Sequence, residues 1–348
     1  MEHELLQKEW MIIVADEGHR IKNHKSLRGK IICNISAKTP IKYMATGTPM
    51  LKNYMDFFNE FKFLDNGQTF GNSFSSYKRK YFTNLNAEWK DKESYFPKWE
   101  VDKYMLDDLH SKIFKKADRR LKKDCLDLPD ETQEIIYVKM SKEQNKVYKE
   151  LRDELIHWVD DNEAVTVMNA LTKTLRLAQV TSGFIKTTEG REVSFKTNPK
   201  IDALGELLED LVEENKVVIS AAFIHDIKLI GETFKKYNPA FVYGKSDHQK
   251  EKKKFVEDEA CRILIAHPHS LIGINDLVVS NYIIYFSNNN SYEDRHQSRE
   301  RINRPGQKKN CTYIDIVAGP VDKLIIENLD GKEDMSKNIL DQIRAGDI

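Results

Sequence analysis

The run WMIIVA at residues 10–15 is short, apolar and unbroken, the pattern of a strand buried on both faces of a parallel sheet. A second segment, IKYMATG at 41–47, reads as another strand and runs into a turn marked by Gly47 and Pro49. The Lys-rich amphipathic stretch between them predicts a crossover helix. From about residue 54 to 128 the pattern becomes aromatic-rich, highly charged and helical, closing on the basic run KKADRRLKKDCLDLP, which Pro129 breaks. QEIIYVKM at 133–140 reads as a further strand. Ser141 then predicts a helix N-cap, with Gln144 in the reciprocal capping-box place. Val147, Leu151, Leu155 and Trp158 recur at helical spacing behind it, which predicts a buried face.

Beyond Pro199 the chain alternates. Apolar segments at 216–221 (KVVISA), 262–266 (RILIA), 282–286 (YIIYF) and 311–317 (CTYIDIV) are separated by helical patterns, and Ile201, Leu204, Leu208 and Leu211 mark a helix just before the first. Such alternation predicts a doubly wound α/β domain.

Composition narrows the function little. Lys+Arg and Asp+Glu both number 55, so a polyanion partner must be met by local clustering and not by global charge. One such cluster runs from Lys112 to Lys123, with Lys115, Lys116, Arg119, Arg120 and Lys122 against the single acid Asp118. Cys33, Cys125, Cys261 and Cys311 are far apart, which argues against a zinc site or a disulfide framework. No apolar run reaches membrane-spanning length, and Met-Glu-His-Glu is the wrong chemistry for a signal peptide; an intracellular protein is expected.

Asp16-Glu17-Gly18-His19 follows the WMIIVA strand directly. Functional side chains of an α/β sheet project from the carboxyl ends of its strands. Two adjacent carboxylates there suit a magnesium–nucleotide site, one holding the metal through its water shell and the other orienting the water that attacks the γ-phosphate. An acidic turn after a strand is the plain alternative. The whole segment DEGHRIKN resembles motif II of the Swi/Snf-type ATPases of helicase superfamily two, and Ala45-Thr46-Gly47-Thr48-Pro49-Met50 followed by Asn53 resembles their motif III. The resemblance implies that Asp16 holds Mg2+ through water and that Glu17 and His19 serve catalysis. It also implies that Thr46, Gly47 and Thr48 bind the cofactor and couple its state to DNA.

Gln297, Arg301 and Arg304 lie four and three residues apart, which predicts one helical face, with Ser291 as N-cap, Asp294 at the box position and Pro305 as the stop. A solvated charged helix is the alternative. The run from Gln297 to Gln307 resembles motif VI of the same family, whose arginines complete the ATP site from the second lobe. Other landmarks fall in order. Arg119-Arg120-Leu-Lys122-Lys123-Asp124 before Leu128-Pro129 resembles the family's R-R-x-K-x-D…L-P segment, placed to grip DNA phosphates. Leu175-Arg176 with Gln179 and Ser182-Gly183, and then Lys200, resemble the elements that lead into the second lobe. Ser270-Leu-Ile-Gly273-Ile274-Asn275 resembles motif V with its glycine pair eroded, and implies cofactor-binding roles for Gly273 and Asn275.

The resemblance covers residues 10 to about 330. It implies an α/β fold of RecA-like doubly wound parallel sheets, with a partial first lobe, a complete second lobe and a helical insertion. The expected divisions are a first-lobe remnant at 1–53, the insertion with its basic run at 54–130, and a strand returning to the first lobe with a second helical segment at 131–197. The second lobe follows at 198–318, and a helical tail at 319–348. ATP and Mg2+ are the implied cofactors, and DNA, held mainly through its backbone, the implied partner.

No complete G-x-x-x-x-G-K-[ST] phosphate loop is present: Gly244-Lys245-Ser246 mimics its end, but Pro239 stands where its first glycine belongs. His267-Pro-His269 lacks the third ligand a metal requires. The expectation is the motif II to motif VI portion of an ATP-driven DNA helicase or translocase, inactive alone, its phosphate loop supplied by a separate polypeptide or lost. The alternative is an ATP-independent DNA-binding or regulatory remnant of such a helicase. The compact second lobe and short tail resemble phage-encoded members of the family, so a prokaryotic or phage-infected cell is the expected setting.

Overall fold

Strands β1 (Ile12–Ala15) and β2 (Ile41–Met44) pair in parallel, Ile12 opposite Ile41 and Ala15 opposite Met44, and the helix Leu27–Ser36 makes the crossover between them. Ser26 caps that helix by accepting the Gly29 N–H at 3.0 Å. The computed structural model describes residues 5–47, 54–87, 97–120, 122–161, 167–187, 189–244, 246–275 and 277–331. The chain divides into two units, residues 1–120 and 121–348.

Among the described residues of the first unit, these two strands form a sheet by themselves. The expected double-sided burial of β1 is not found: Met11, Val14 and Tyr43 are 71%, 63% and 60% exposed. Apolar side chains in a strand are buried only where layers lie on both faces, and two strands with one crossover helix do not supply them. The core of this unit is instead aromatic, built from Phe57, Phe58 and Phe61 on the helix Phe57–Asp65, Tyr77 and Tyr81 on the helix Phe74–Tyr81 and Phe70 between the two, with Leu109 and Ile113 from Leu106–Phe114. A short antiparallel hairpin, β3 (Phe82–Asn84) with β4 (Trp99–Val101), interrupts a stretch expected to be all helical; Phe, Thr, Trp and Val favour strands. The expected boundary at 53/54 also dissolves, because Asn59 donates its amide to the Ile21 and Gly29 carbonyls and joins the motif II segment to the helices after it.

The second unit holds a six-stranded, all-parallel sheet. Its strands in chain order are β5 (Glu131–Tyr137), β8 (Lys216–Ser220), β9 (Ala240–Val242), β10 (Ile263–Ala266), β11 (Ser280–Tyr285) and β12 (Cys311–Val317), in the spatial order β5-β12-β11-β8-β10-β9. A separate hairpin pairs β6 (Phe184–Lys186) with β7 (Glu192–Ser194). Strand β5 was expected to return to the first lobe; it pairs instead with β12, Glu131 opposite Cys311 through Tyr137 opposite Val317. Its polar, largely exposed residues suit an edge strand, whose pattern does not say which sheet it joins.

Both faces of this sheet are covered. Val217, Ile219, Ile263, Ile265, Ile284 and Ile314 pack on one side with Leu204 and Leu208 of the helix Pro199–Leu211, while Val218, Leu264, Ile283 and Tyr313 pack on the other. A third cluster joins the helices Lys142–Asp161, Val167–Ser182 and Pro320–Gly331 through Tyr148, Leu155, Leu177, Val180, Val321 and Leu324. The segments set apart at 131–197 and after 318 thus pack within the same unit. The Ser141 capping box forms in full: Gln144 N–H reaches Ser141 Oγ at 3.2 Å and Ser141 N–H reaches Gln144 Oε1 at 3.0 Å. The side chain of Trp158 lies outside the described residues.

Candidate functional site

In the first unit the candidate groups meet at the carboxyl ends of β1 and β2. Ala45 N–H donates to Ala15 O at 2.9 Å and Gly18 N–H to Ala45 O at 3.0 Å, so the chain leaving one strand is hydrogen-bonded to the chain leaving the other. Glu17 adopts left-handed geometry, φ 50° and ψ 49°, costing a non-glycine residue about 1–2 kcal/mol. Asp16 Oδ1 accepts the Glu17 N–H at 2.8 Å and holds that turn. His19 is buried, and its Nδ1 lies 3.0 Å from Thr46 Oγ1 and 3.3 Å from Glu17 Oε2. One imidazole nitrogen therefore touches both segments singled out as motifs II and III. Gly18 allows the approach: a Cβ there would fall 2.0 Å from Met44 Cγ. Gly47 is exposed with open space where a Cβ would point, and Thr48 lies outside the described residues.

Three further residues of DEGHRIKN hold local structure. Ile21 is buried, Lys22 pairs with Asp56 at 3.3 Å, and Asn23 accepts the Lys25 N–H at 2.9 Å. Asp16 is exposed, and among the described residues its Oδ2 takes no hydrogen bond. A lone carboxylate oxygen open to water fits a magnesium ion held through its hydration shell, since this ion commonly keeps several waters and completes its sphere with substrate phosphates.

In the second unit, Gln297 is buried on the helix Tyr292–Arg299, which Ser291 caps by accepting the Asp294 N–H at 3.1 Å. Asp294 does not complete the expected box, because Asn289 Oδ1 takes the Ser291 N–H instead. Arg301 and Arg304 do not continue the helical face. The helix stops at Arg299, several residues before Pro305, and Arg301 N–H and Ile302 N–H bond to Ser298 O and Arg299 O in a tightening turn. Two anchors explain the early stop. Ile302 is fully buried, and Gln307 plugs the loop, donating to Ser280 O at 2.9 Å and accepting the Lys308 and Lys309 N–H groups at 2.9 and 3.0 Å. The arginines still converge: Arg301 Nη1 lies 2.8 Å and Arg304 Nη1 3.3 Å from Asn275 Oδ1. Gly273 is exposed, and nothing crowds its missing Cβ.

The basic run divides. Lys112 and Lys116 are ion-paired to Asp108 and Asp65, at 2.7 and 2.8 Å. Burial pushes the Asp65 carboxyl up, but the bonds from Lys116 and Thr69 outweigh it and hold the group below its ordinary value. Arg119 and Arg120 are exposed, Arg120 beside Asp118 at 2.8 Å. Lys122, its side chain 34% exposed, donates to Asn303 O and lies 3.8 Å from Glu300, so it also braces the arginine turn. The side chain of Lys123 lies outside the described residues.

Sequence reasoning missed a buried fork. Arg295 bonds Asp315 through both guanidinium nitrogens, at 2.8 and 2.6 Å, reaches Asn288 at 3.0 Å and stacks 3.5 Å over the Tyr285 ring. The lone acid within CTYIDIV was the available signal, since an unpaired Asp is almost never fully buried. Lys200 is likewise buried, bonded to Asp322 at 2.9 Å and to Phe286 O at 3.2 Å. His267 caps the turn after β10 through the His269 N–H, and the His269 ring turns to Asp294 at 3.2 Å.

The chain belongs to the SNF2-related domain family, whose model matches residues 1–188. It is 27% identical over 366 residues to a CHD3-type chromatin-remodeling factor of Arabidopsis thaliana, covering 96% of this chain and 28% of that protein. It is 23% identical over 321 residues to an uncharacterized ATP-dependent helicase of Mycoplasma pneumoniae, covering 90% of this chain and 29% of that protein. The chain thus spans less than a third of these relatives. A putative protein of Acyrthosiphon pisum secondary endosymbiont phage 1 is 23% identical, with 95% of this chain and 72% of that protein covered. Among solved structures, the Sulfolobus solfataricus SWI2/SNF2 ATPase core in complex with dsDNA matches 99% of this chain and 72% of that one at 24% identity, with a TM-score of 0.48. Among the described residues no helix is long and apolar enough to cross a membrane.

Proposed function

We propose that this chain is the part of an ATP-dependent DNA translocase or helicase that runs from the magnesium-side carboxylates to the phosphate-sensing arginines. The observation that carries the reading is His19 Nδ1 lying between Glu17 and Thr46, which ties the carboxylates after β1 to the hydroxyl after β2. Family membership supports ATP as the nucleotide. The names of the relatives, a helicase and a chromatin-remodeling factor, support DNA as the polymer acted on.

In this reading Asp16 holds Mg2+ through water, and the ion neutralises phosphate charge. Glu17 orients the attacking water, and His19 relays the position of Thr46 to it. Arg301 and Arg304 receive the charge that develops on the transferred phosphoryl group, with Gln297 beneath them. Arg119 and Arg120 contact backbone phosphates without reading bases. The phosphate loop that such chemistry requires lies outside these 348 residues. The open faces of β1 and β2 offer a seat for a further α/β layer bearing that loop, in the same polypeptide or a second one.

The test is enzymatic. The 348-residue chain alone is expected to hydrolyse ATP at background, and with a polypeptide carrying the phosphate loop to hydrolyse it in a DNA-stimulated way. Glu17→Gln is then expected to cut turnover on the order of a thousandfold while binding of a fluorescent ATP persists. Wild-type turnover in that variant would remove Glu17 from the role. DNA binding without turnover in any combination would return the chain to an ATP-independent remnant.

A further inference from the structure

The helix Tyr292–Arg299 lies on the sheet through polar groups: its buried residues are Asp294, Arg295, Gln297 and Ser298. Apolar contact is non-directional and would let a helix slide or roll on the strands beneath it. Charge-assisted bonds fix direction as well as distance, and the Arg295 fork supplies them. It takes both carboxylate oxygens of Asp315, at 2.8 and 2.6 Å, and Asn288 Oδ1 at 3.0 Å. Asn288 closes the ring by donating to Asp315 Oδ1 at 3.0 Å, and the Tyr285 ring lies 3.5 Å from the guanidinium. A second hold lies one turn further along the helix. Tyr313 Oη donates to Arg299 O at 3.2 Å, and the Arg299 guanidinium stands 4.2 Å over the Tyr313 ring. Four residues of helix rise about 6 Å and two residues of strand about 6.6 Å. Arg295 on Asp315 and Arg299 on Tyr313 therefore define one register of the helix on β12. A slip of one residue would turn the helix by about 100° and break both holds.

This register is handed to the turn that follows. The Ser298 hydroxyl donates to Arg295 O at 2.7 Å, which leaves the Tyr285 hydroxyl to donate to Ser298 Oγ at 2.8 Å. Ser298 O accepts the Arg301 N–H at 3.1 Å, and Arg299 O accepts the Ile302 and Asn303 N–H groups, each at 3.3 Å. We propose that Arg295 is a positioning residue for Arg301 and Arg304: its fork on Asp315 and Asn288 sets the helix on β12 and so places the turn that carries them. It acts through the backbone of that turn. What the two arginines receive rests on the function proposed above; the register does not. Stability is a poor account of the fork, because replacing a buried ion pair by apolar side chains of similar volume is often neutral or stabilising, and fixing a register is the best-attested use of such a pair.

The experiment uses the full 348-residue chain and the double variant Arg295→Met with Asp315→Leu, which removes both charges together. Urea unfolding reads stability, and native-state hydrogen exchange compares the amides of Arg301, Ile302 and Asn303 with those of β10 and β11. The double variant is expected to keep wild-type protection in the strands while the three turn amides exchange about tenfold faster or more. Arg295→Lys keeps the charge and loses the planar fork, so it is expected to loosen the same turn, and it decides the matter should the double variant unfold early. Turn amides that move only in step with the strand amides, in both variants, would make the fork a structural pair and overturn the proposal. In the chain combined with a phosphate-loop polypeptide, the variants are expected to lower kcat about tenfold with the KM for ATP unchanged, as befits groups that meet charge developing in the transition state. A loosened turn with wild-type kcat would also overturn it. Absence of turnover in the wild-type combination would count against the enzymatic reading alone, since the exchange measurement needs neither nucleotide nor DNA.

Discussion

Strands β1 and β10 are near twins as patterns, IIVA and ILIA, yet Val14 is 63% exposed and Ile265 is not exposed at all. The difference lies in what surrounds them. Strand β10 sits between β8 and β9 with helices on both faces of a six-stranded sheet, whereas β1 has, among the described residues, one neighbouring strand and one crossover helix. An apolar run states a demand for burial, and only the rest of the fold can meet it. Two buried acids differ as sharply. Asp315 in the second unit is held by both terminal nitrogens of Arg295, while Glu60 in the first is fully buried with, among the described residues, no hydrogen-bond partner on either carboxylate oxygen. The second unit covers its sheet internally, whereas the first leaves the apolar side chains of β1 open.

The largest effect should come from breaking the completed side. Asp315→Ala leaves the Arg295 guanidinium buried without its counter-charge, a loss of about 3–5 kcal/mol in the stability of the second unit. Urea unfolding followed by hydrogen exchange of the β8, β10 and β11 amides reads it. Replacing both partners, Arg295→Met with Asp315→Leu, should recover much of the loss, since no buried charge then remains. A single variant within about 1 kcal/mol of wild type would mean that water reaches the pair.

Glu60 sharpens the comparison from the other side. Burial, reinforced by Asp56 and opposed by Lys22, raises its pKa to about 9, so the folded unit keeps a proton that the unfolded chain releases near 4.5. The stability tied to that proton is complete below the unfolded value and declines as pH rises toward 9, by about 1.4 kcal/mol for each pH unit between. Glu60→Gln should remove this slope from the first unit, and denaturation at pH 6 and pH 8 with exchange read across residues 57–65 would show it. An unaltered slope would place the pH dependence on another group.

What could be read from residue order follows the same division. Strands β8, β10, β11 and β12 were legible because burial on both faces imposes a largely apolar run, and the Ser141–Gln144 box because its chemistry is local. Strand β5 was legible as a strand but not as a member of the second sheet, since an exposed edge does not specify its neighbour. The convergence of Asn275 with Arg301 and Arg304 was legible as three residues of two motifs, but not as a contact. The stop at Arg299 was hidden because Pro305 offered a more obvious one, while the burial of Ile302 decided it. The bond from Lys122 to Asn303 O was invisible in a run of like charges.

The smallest expected effect tests the contrast most directly. Threonine keeps the β-branch of valine and its preference for strands, so Val→Thr changes little except to place a hydroxyl where a methyl stood. At Val217, which is wholly buried in β8, that hydroxyl loses water without a prepared partner and should cost about 1–3 kcal/mol. At Val14 the same change meets solvent on both sides of the comparison between folded and unfolded chain, and should alter the stability of the first unit by less than about 0.5 kcal/mol. The two variants are to be made in the same 348-residue chain and read by exchange of their own strands. Equal losses at the two sites would show that β1 is covered in solution, by a second copy or by another part of the molecule, and the contrast between the units would collapse. A loss at Val14 that appears only when a phosphate-loop polypeptide is added, in the size expected for Val217, would instead identify the open face as the seat of that layer. Burial would then be conferred by the partner on the very residues whose apolarity called for it.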